Sequence, residues 1–162
     1  MNTLEIAAKM EQEAVLFYKQ CAEKTANPVG KKMFLSIVED EQYHFDCAIS
    51  MKNNGQQFTP SETTPVEDMK KIFDEHKQEM LEKMPSTADE LEALKIAMKM
   101  EEEAIAFYKK ASTLAANAKE KHFFDCLIKD EEEHFHIFQN TYSFLEDSGN
   151  WFMWQEQGIV EG

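Results

Sequence analysis

The sequence predicts an all-α protein, a four-helix bundle built from two copies of one helical hairpin. Composition, an internal repeat and the spacing of apolar residues all indicate this fold. Leu, Met, Ala, Glu and Lys are abundant in the 162 residues, with only five glycines and four prolines. These common residues are strong helix formers, and a chain of this length can enclose a full hydrophobic core in one domain.

The second half of the chain repeats the first at a fixed offset of 90 residues. Of the 42 positions from Leu4 to Phe45, 19 are identical 90 residues later, and no gap is needed. Chance would give about two or three identities, so the repeat is secure. Each copy therefore folds as the same unit, which we interpret as a helical hairpin.

Helix boundary signals occur in the first copy. The first helix begins near Asn2 or Thr3, with Glu5 placed for a capping box, and runs to about Ala26. Asn27 then caps the second helix, with Pro28 at its first position. This second helix is predicted to end at 53–55, where two asparagines precede a glycine.

The second copy has equivalent signals. Thr87 and Glu90 form a capping box for the third helix, which runs to about Ala116, and Asn117 caps the fourth. The fourth helix is predicted to end at 147–149. The bundle thus covers 1–149, with hairpins at 2–54 and 87–149, a crossover at 55–86 and a C-terminal packing tail at 150–162. The crossover has helical spacing from Val66 to Met84, and its length allows the second and third helices to lie parallel.

One glutamate lies in the apolar stripe of each predicted helix. At 3.6 residues per turn, the inward positions include Glu11, Glu41, Glu101 and Glu131. Four uncompensated carboxylates in a core would each cost about several kcal/mol. The chain has no arginine, and no lysine lies on these stripes near the glutamates. Glu13 and Glu103, two residues further on, point to the other side and are interpreted as solvated.

Two histidines extend this pattern. His44 follows Glu41 by three residues and His134 follows Glu131 by three, so each pair lies on one helical turn. Four carboxylates and two imidazoles suit two divalent ions with nearly balanced charge. Oxygen and nitrogen ligands without thiolate favour iron or manganese over structural zinc. Such a constellation is typical of di-iron and di-manganese carboxylate bundles.

Two further pairs are candidates for supporting this centre. Tyr18 and Tyr108 lie two turns after their glutamates, where each hydroxyl could bond a ligand carboxylate across the bundle; core packing is the alternative. Asp40 and Asp130 precede the histidine-linked glutamates, and each could accept a proton from the imidazole of the opposite helix. A solvated helix face is the alternative for the aspartates. The other histidines, His76, His122 and His136, are interpreted as ordinary polar residues.

Composition excludes several classes of function. The net charge of −14 disfavours nucleic acid as a partner, and no apolar run is long enough to span a membrane. The N-terminus lacks a signal-peptide pattern, and the three cysteines form no CxxC pair. We therefore expect a cytoplasmic protein with buried thiols and no rubredoxin-type iron site in this chain.

The paired motifs resemble the rubrerythrin and bacterioferritin branch of the ferritin-like superfamily. They are Glu11-x6-Tyr18, Asp40-Glu41-x-x-His44, Glu101-x6-Tyr108 and Asp130-Glu131-x-x-His134, within a region from about Leu4 to Leu145. The resemblance implies two iron ions, with manganese or zinc as substitutes, bridged by Glu41 and Glu131. It implies that Glu11 and His44 complete one iron site and that Glu101 and His134 complete the other.

The same resemblance implies a homodimeric oxidoreductase that reduces hydrogen peroxide or dioxygen in oxidative stress. Because no rubredoxin domain is expected here, electrons would come from a separate donor protein. Rubrerythrins also carry an extra glutamate three residues after the ligand of the third helix, where this chain has Ala104. The six-ligand set is closer to bacterioferritin, so an iron-sequestering ferroxidase is the alternative function.

Overall fold

Four helices make up most of the part of the chain that the computed structural model describes, which comprises residues 2–54, 84–85, 87–148 and 150–151. Helix α1 is Thr3–Lys24 and α2 is Pro28–Asn54. Strand β1, Met84–Pro85, precedes α3, Ala88–Thr113; helix α4, Ala118–Ser148, precedes β2, Asn150–Trp151. The predicted all-α, ferritin-like four-helix fold is confirmed.

Among the described residues, a two-residue antiparallel pairing is the one regular element that the sequence did not predict. Met84 pairs with Trp151, and Pro85 pairs with Asn150. It joins the chain entering α3 to the chain leaving α4. Met84 had been predicted to end the crossover helix and instead lies in β1; the rest of that helix, and the tail beyond Trp151, fall outside the described residues.

Side chains cap the helices at the predicted positions. The Asn2 side chain accepts from Glu5 N at 2.9 Å, and Asn27 Oδ1 accepts from Val29 N at 2.8 Å. Thr87 and Glu90 form the full capping box. The Glu90 carboxylate also accepts from Ala26 N at 3.3 Å, which connects the start of α3 to the turn between α1 and α2.

Helices α1 and α3 end two and three residues earlier than predicted. The Thr25 hydroxyl donates to the Cys21 carbonyl at 2.7 Å, and the Thr113 hydroxyl donates to the Lys110 carbonyl at 2.7 Å. A threonine that satisfies a terminal carbonyl competes with continuation of the helix. Only residues 25–27 and 114–117 then connect the helices of each hairpin.

Contacts between the hairpins fix the helix directions. Tyr18 of α1 bonds Glu101 of α3, while Tyr108 of α3 bonds Glu11 of α1, so these two helices run antiparallel. Each hairpin is also antiparallel because its connection is short. Helices α2 and α3 therefore run parallel, as the long crossover predicted.

The core consists of two apolar clusters, one toward each end of the bundle. One surrounds Tyr18, with Phe34 and Phe138 packed on its ring at centroid distances of 6.4 and 5.3 Å. The other surrounds Tyr108, with Phe124 at 6.0 Å. The stripe glutamates lie between these clusters. No helix in the described ranges is long and apolar enough to cross a membrane.

Candidate metal centre

The four stripe glutamates and the two histidines meet in the middle of the bundle. We call these six residues the ligand cluster: Glu11 from α1, Glu41 and His44 from α2, Glu101 from α3, and Glu131 and His134 from α4. Each is at most 2% exposed. Burial of six ionisable side chains at one point has a large desolvation penalty, so the cluster requires compensating cations, which are protons or metal ions.

The ligand cluster divides into two overlapping sets, each able to hold one metal ion. One set offers an atom each from Glu11, Glu41, His44 and Glu131, and the other from Glu41, Glu101, Glu131 and His134. Within each set the atoms lie within 4.8 Å of one another. Glu41 and Glu131 occur in both sets, which is the arrangement that two bridging carboxylates require.

Aspartates from the opposite helix orient both imidazoles. His44 Nε2 lies 2.8 Å from Asp130 Oδ2, and His134 Nε2 lies 2.9 Å from Asp40 Oδ2. An aspartate at Nε2 favours a proton on that nitrogen and leaves the Nδ1 lone pair directed at the cluster. The nearest carboxylate oxygens are 3.3 Å from His44 Nδ1 and 3.0 Å from His134 Nδ1.

Two buried tyrosines donate hydrogen bonds to Glu101 and Glu11, the carboxylates that each belong to only one ligand set. The Tyr18 hydroxyl donates to Glu101 Oε1 at 2.6 Å, and the Tyr108 hydroxyl donates to Glu11 Oε1 at 2.5 Å. Burial, followed by these neighbouring carboxylates, raises the pKa of both phenols well above the usual value. Both tyrosines therefore remain protonated donors, and each leaves the second oxygen of its glutamate unbonded.

Five atoms of the ligand cluster have no hydrogen-bond partner among the described residues. They are Glu11 Oε2, Glu41 Oε1, His44 Nδ1, Glu101 Oε2 and Glu131 Oε1. Four of the five are carboxylate oxygens that are buried beside one another and beside the imidazoles, so protons or metal ions must compensate their charge. Because carboxylate oxygens and an imidazole nitrogen are ligands of divalent transition metals, the donor set fits a pair of such ions.

Mutual repulsion and burial shift the titration of the cluster. Burial, followed by the charge of Glu11, raises the pKa of Glu41 to about 7. Burial, followed by the charge of Glu41, raises the pKa of Glu131 to about 6. Burial alone would lower the pKa of the His44 imidazole, but Glu11 and Asp130 outweigh it and hold that pKa well above the usual value.

The raised pKa values of the ligand cluster predict that the metal-free protein loses stability as pH rises from 5 to 8. Because the pKa values of Glu41 and Glu131 are higher in the folded state than their usual value of 4.5, protonation of these carboxyls stabilises the fold fully below pH 4.5. This stabilisation is lost as pH rises through about 6 for Glu131 and about 7 for Glu41. His44 acts in the same direction above pH 6.5. Glu11, whose pKa His44 lowers despite burial, acts only below this range.

Between pH 5.5 and pH 8, Glu41 alone contributes about 2 kcal/mol to this loss. Thermal unfolding at pH 5.5 and pH 8, with a chelator and with excess Mn(II), measures it. Metal neutralises the carboxylates, so we expect the stabilisation by Mn(II) to be larger at pH 8. A metal-free melting temperature that rises over this interval would contradict the assignment of raised carboxyl pKa values.

A pocket of about 140 Å³ opens onto the ligand cluster between α1 and α3. Its lining consists of five repeat-related pairs and one bridging residue: Met10 and Met100, Glu11 and Glu101, Glu13 and Glu103, Ala14 and Ala104, Tyr18 and Tyr108, and Glu41. Exposed glutamates at one end and buried ones at the other give the site contact with solvent and room for a small molecule.

The pocket corrects one prediction and adds residues that the sequence analysis missed. Glu13 and Glu103 are exposed, as expected, but they line the pocket above the ligand cluster instead of pointing away from it. The sequence did offer a signal for this pocket, because Glu13, Met10 and Ala14 are each identical to the residue 90 positions later. His122 and His136 are exposed and lie outside the ligand cluster, and His76 falls outside the described residues.

A bundle of two related hairpins, with two overlapping carboxylate and histidine sets at its centre, defines a protein of the ferritin-like class with a site able to hold metal. A family model described as Rubrerythrin matches residues 2–142, and the chain belongs to the rubrerythrin family. Comparisons with curated proteins and with solved structures gave no significant match.

Proposed function

We propose that the chain is a non-haem di-iron oxidoreductase of rubrerythrin type that reduces hydrogen peroxide or dioxygen. The observation that carries the proposal is the pair of ligand sets sharing Glu41 and Glu131, with five buried polar atoms that lack hydrogen-bond partners among the described residues and a pocket that reaches the cluster. Four carboxylates balance the charge of two divalent ions. When bound, a pair of iron ions supplies the two electrons needed to reduce one hydrogen peroxide to two waters.

The protein's part in this chemistry is to hold and orient. Glu11 with His44 would hold one ion and Glu101 with His134 the other, and Glu41 and Glu131, which occur in both ligand sets, would be shared between them. Asp130 and Asp40 keep a proton on Nε2 of each imidazole so that Nδ1 faces the metal position. Tyr18 and Tyr108 fix the terminal carboxylates from inside the bundle. The apolar clusters on both sides of the centre limit its contact with bulk water.

Iron is the proposed metal because it fits both the donor set and the redox role. Mixed carboxylate and imidazole ligands suit iron and manganese, and zinc has no redox chemistry. The electron donor is proposed to be a separate protein, since the three cysteines of this chain are all free and none forms a CxxC pair.

An iron-sequestering ferroxidase is the second candidate function. The specific observation in its favour is Ala104, which lines the pocket where the family resemblance implies a further glutamate. Its repeat mate Ala14 lines the pocket too, so among the described residues no seventh carboxylate joins the two ligand sets. A centre with six ligands suits oxidation of iron as well as reduction of peroxide.

Anaerobic loading with Fe(II) separates the two functions. Protein carrying two Fe(II) per chain is mixed rapidly with hydrogen peroxide or with dioxygen in separate experiments, and oxidation is followed by absorbance. We expect faster oxidation by one of these oxidants, followed by re-reduction and repeated cycles without loss of iron. Size-exclusion chromatography should give a homodimer. Oxidation that leaves hundreds of irons inside a large shell would instead establish storage and overturn the reductase proposal.

A further inference from the structure

The pocket between α1 and α3 has a charge of a single sign. Its charged lining residues are all glutamates: Glu11, Glu13, Glu41, Glu101 and Glu103. No lysine lines it, although lysines are frequent on the surfaces of the same two helices. A concave site lined by one sign of charge, with low-dielectric walls, concentrates the field and raises the local concentration of counter-ions.

The two ends of the pocket differ in solvation. At the inner end, Glu11 and Glu101 are at most 2% exposed, and Oε2 of each has no hydrogen-bond partner among the described residues. At the outer end, Glu13 and Glu103 are exposed, and neither has a hydrogen bond or an ion pair within the described part of the chain. Carboxylates therefore extend from solvent to the ligand cluster.

The repeat marks the outer residues as well as the ligands. All five pairs that line the pocket are identical between the two copies, whereas the copies as a whole agree at 19 of 42 positions. The metal ligands and their tyrosine partners account for two of these pairs. Of the other three pairs, Ala14 lies in one apolar cluster, and Met100 and Ala104 pack against the clusters. Glu13 and Glu103 belong to neither cluster, so core packing does not explain why this pair matches.

We propose that this pocket is the route by which divalent metal ions enter the centre, and that Glu13 and Glu103 attract the hydrated ion at its mouth. The inference rests on the proposed di-metal function and adds a loading role for two residues that are not ligands. Removing the carboxylates at the mouth weakens attraction of the cation but leaves the ligand cluster intact. The expected effect is therefore on the rate of loading and not on the number of ions bound.

The small side chains Ala14 and Ala104 are the steric part of the same route. A larger side chain at Ala104 narrows the passage without altering its charge. Because ionic strength screens exposed charges but not a steric barrier, the two kinds of change have different salt dependences.

Uptake of Co(II), followed by its visible absorbance in stopped-flow mixing, tests the proposal without any redox turnover. At low ionic strength, the double variant Glu13→Gln with Glu103→Gln is expected to load about threefold to tenfold more slowly than the wild type, because steering of charged ligands contributes factors of this size or larger. The difference should shrink at about 0.5 M salt, where screening is strong. Both proteins should reach two ions per chain.

The matched control is Glu23→Gln with Glu102→Gln, which removes the same charge from exposed positions on α1 and α3 outside the pocket. It should load at the wild-type rate. Ala104→Leu should load slowly at both ionic strengths. Equal rates for the pocket and control pairs would overturn the role of Glu13 and Glu103, and an unaffected Ala104→Leu would overturn the route. A wild-type protein that binds no pair of Co(II) ions would overturn the metal centre itself.

Discussion

Replacing Glu41 and Glu131 together with glutamine is expected to abolish binding of both metal ions while stabilising the metal-free protein. Each of the two ligand sets contains both residues, so loss of these carboxylates leaves each set with one carboxylate and one imidazole. Glutamine keeps the volume of the side chain, and the core should therefore remain packed. Metal analysis after loading and dialysis measures the loss.

The gain in stability has a separate cause. Burial holds the pKa of Glu41 at about 7, so at pH 8 the folded metal-free protein carries a buried charge that the unfolded chain exposes to water. Removing this penalty should stabilise the metal-free variant by roughly 3 kcal/mol at pH 8. Thermal unfolding with a chelator present measures this change. Two opposite effects from this double variant distinguish a metal centre from a set of structural ion pairs, whose disruption would destabilise the fold.

Glu39→Gln with Glu132→Gln is the matched control for this experiment. Both residues are exposed neighbours of the ligands on α2 and α4, so the same charge is removed without touching the ligand cluster. The control should bind two ions and unfold near the wild-type temperature. Retention of two tightly bound ions by the Glu41 and Glu131 variant would show that the ligand assignment is wrong.

The repeat made the inward-facing side of each helix predictable from the sequence. A helical period places Glu11 and Tyr18 on one stripe, and the second copy places Glu101 and Tyr108 in the same way. Two hairpins related by an approximate two-fold then exchange contacts, so a bond from Tyr18 to Glu101 has its counterpart from Tyr108 to Glu11. The same exchange pairs each histidine with the aspartate of the other copy.

The pocket could not be predicted from one helix at a time. Glu13 lies about 200° around the helix from Glu11. Because Glu11 faces the core, this angle alone predicts that Glu13 lies on the solvent side of α1. The pocket is instead lined by Met10, Glu13 and Ala14 of α1, on the side that faces α3. It therefore depends on which helix packs against that side of α1. Periodicity fixes the inward face of a helix, but the neighbour on each flank depends on tertiary packing.

Replacing Asp40 or Asp130 with asparagine is expected to weaken one metal site each, by about tenfold to a hundredfold in affinity. Asp130 lies against Nε2 of His44, and Asp40 lies against Nε2 of His134. An asparagine amide can turn its NH2 group toward Nε2 and donate a hydrogen bond to it. This favours the tautomer in which Nε2 is the acceptor and the ring proton is on Nδ1. That proton points at the carboxylates and occupies the lone pair that a metal ion needs.

The two substitutions act on different ions because each aspartate serves the histidine of the other repeat. In a Co(II) titration, Asp130→Asn should weaken the site of Glu11 and His44, and Asp40→Asn should weaken the site of Glu101 and His134. Asp46→Asn, the same chemical change at an exposed position of α2, should leave both affinities unchanged. The double variant Asp40→Asn with Asp130→Asn should weaken both sites. If it bound two ions with wild-type affinity, the imidazoles would not depend on the aspartates for their orientation, and the bonds at Nε2 would be only structural.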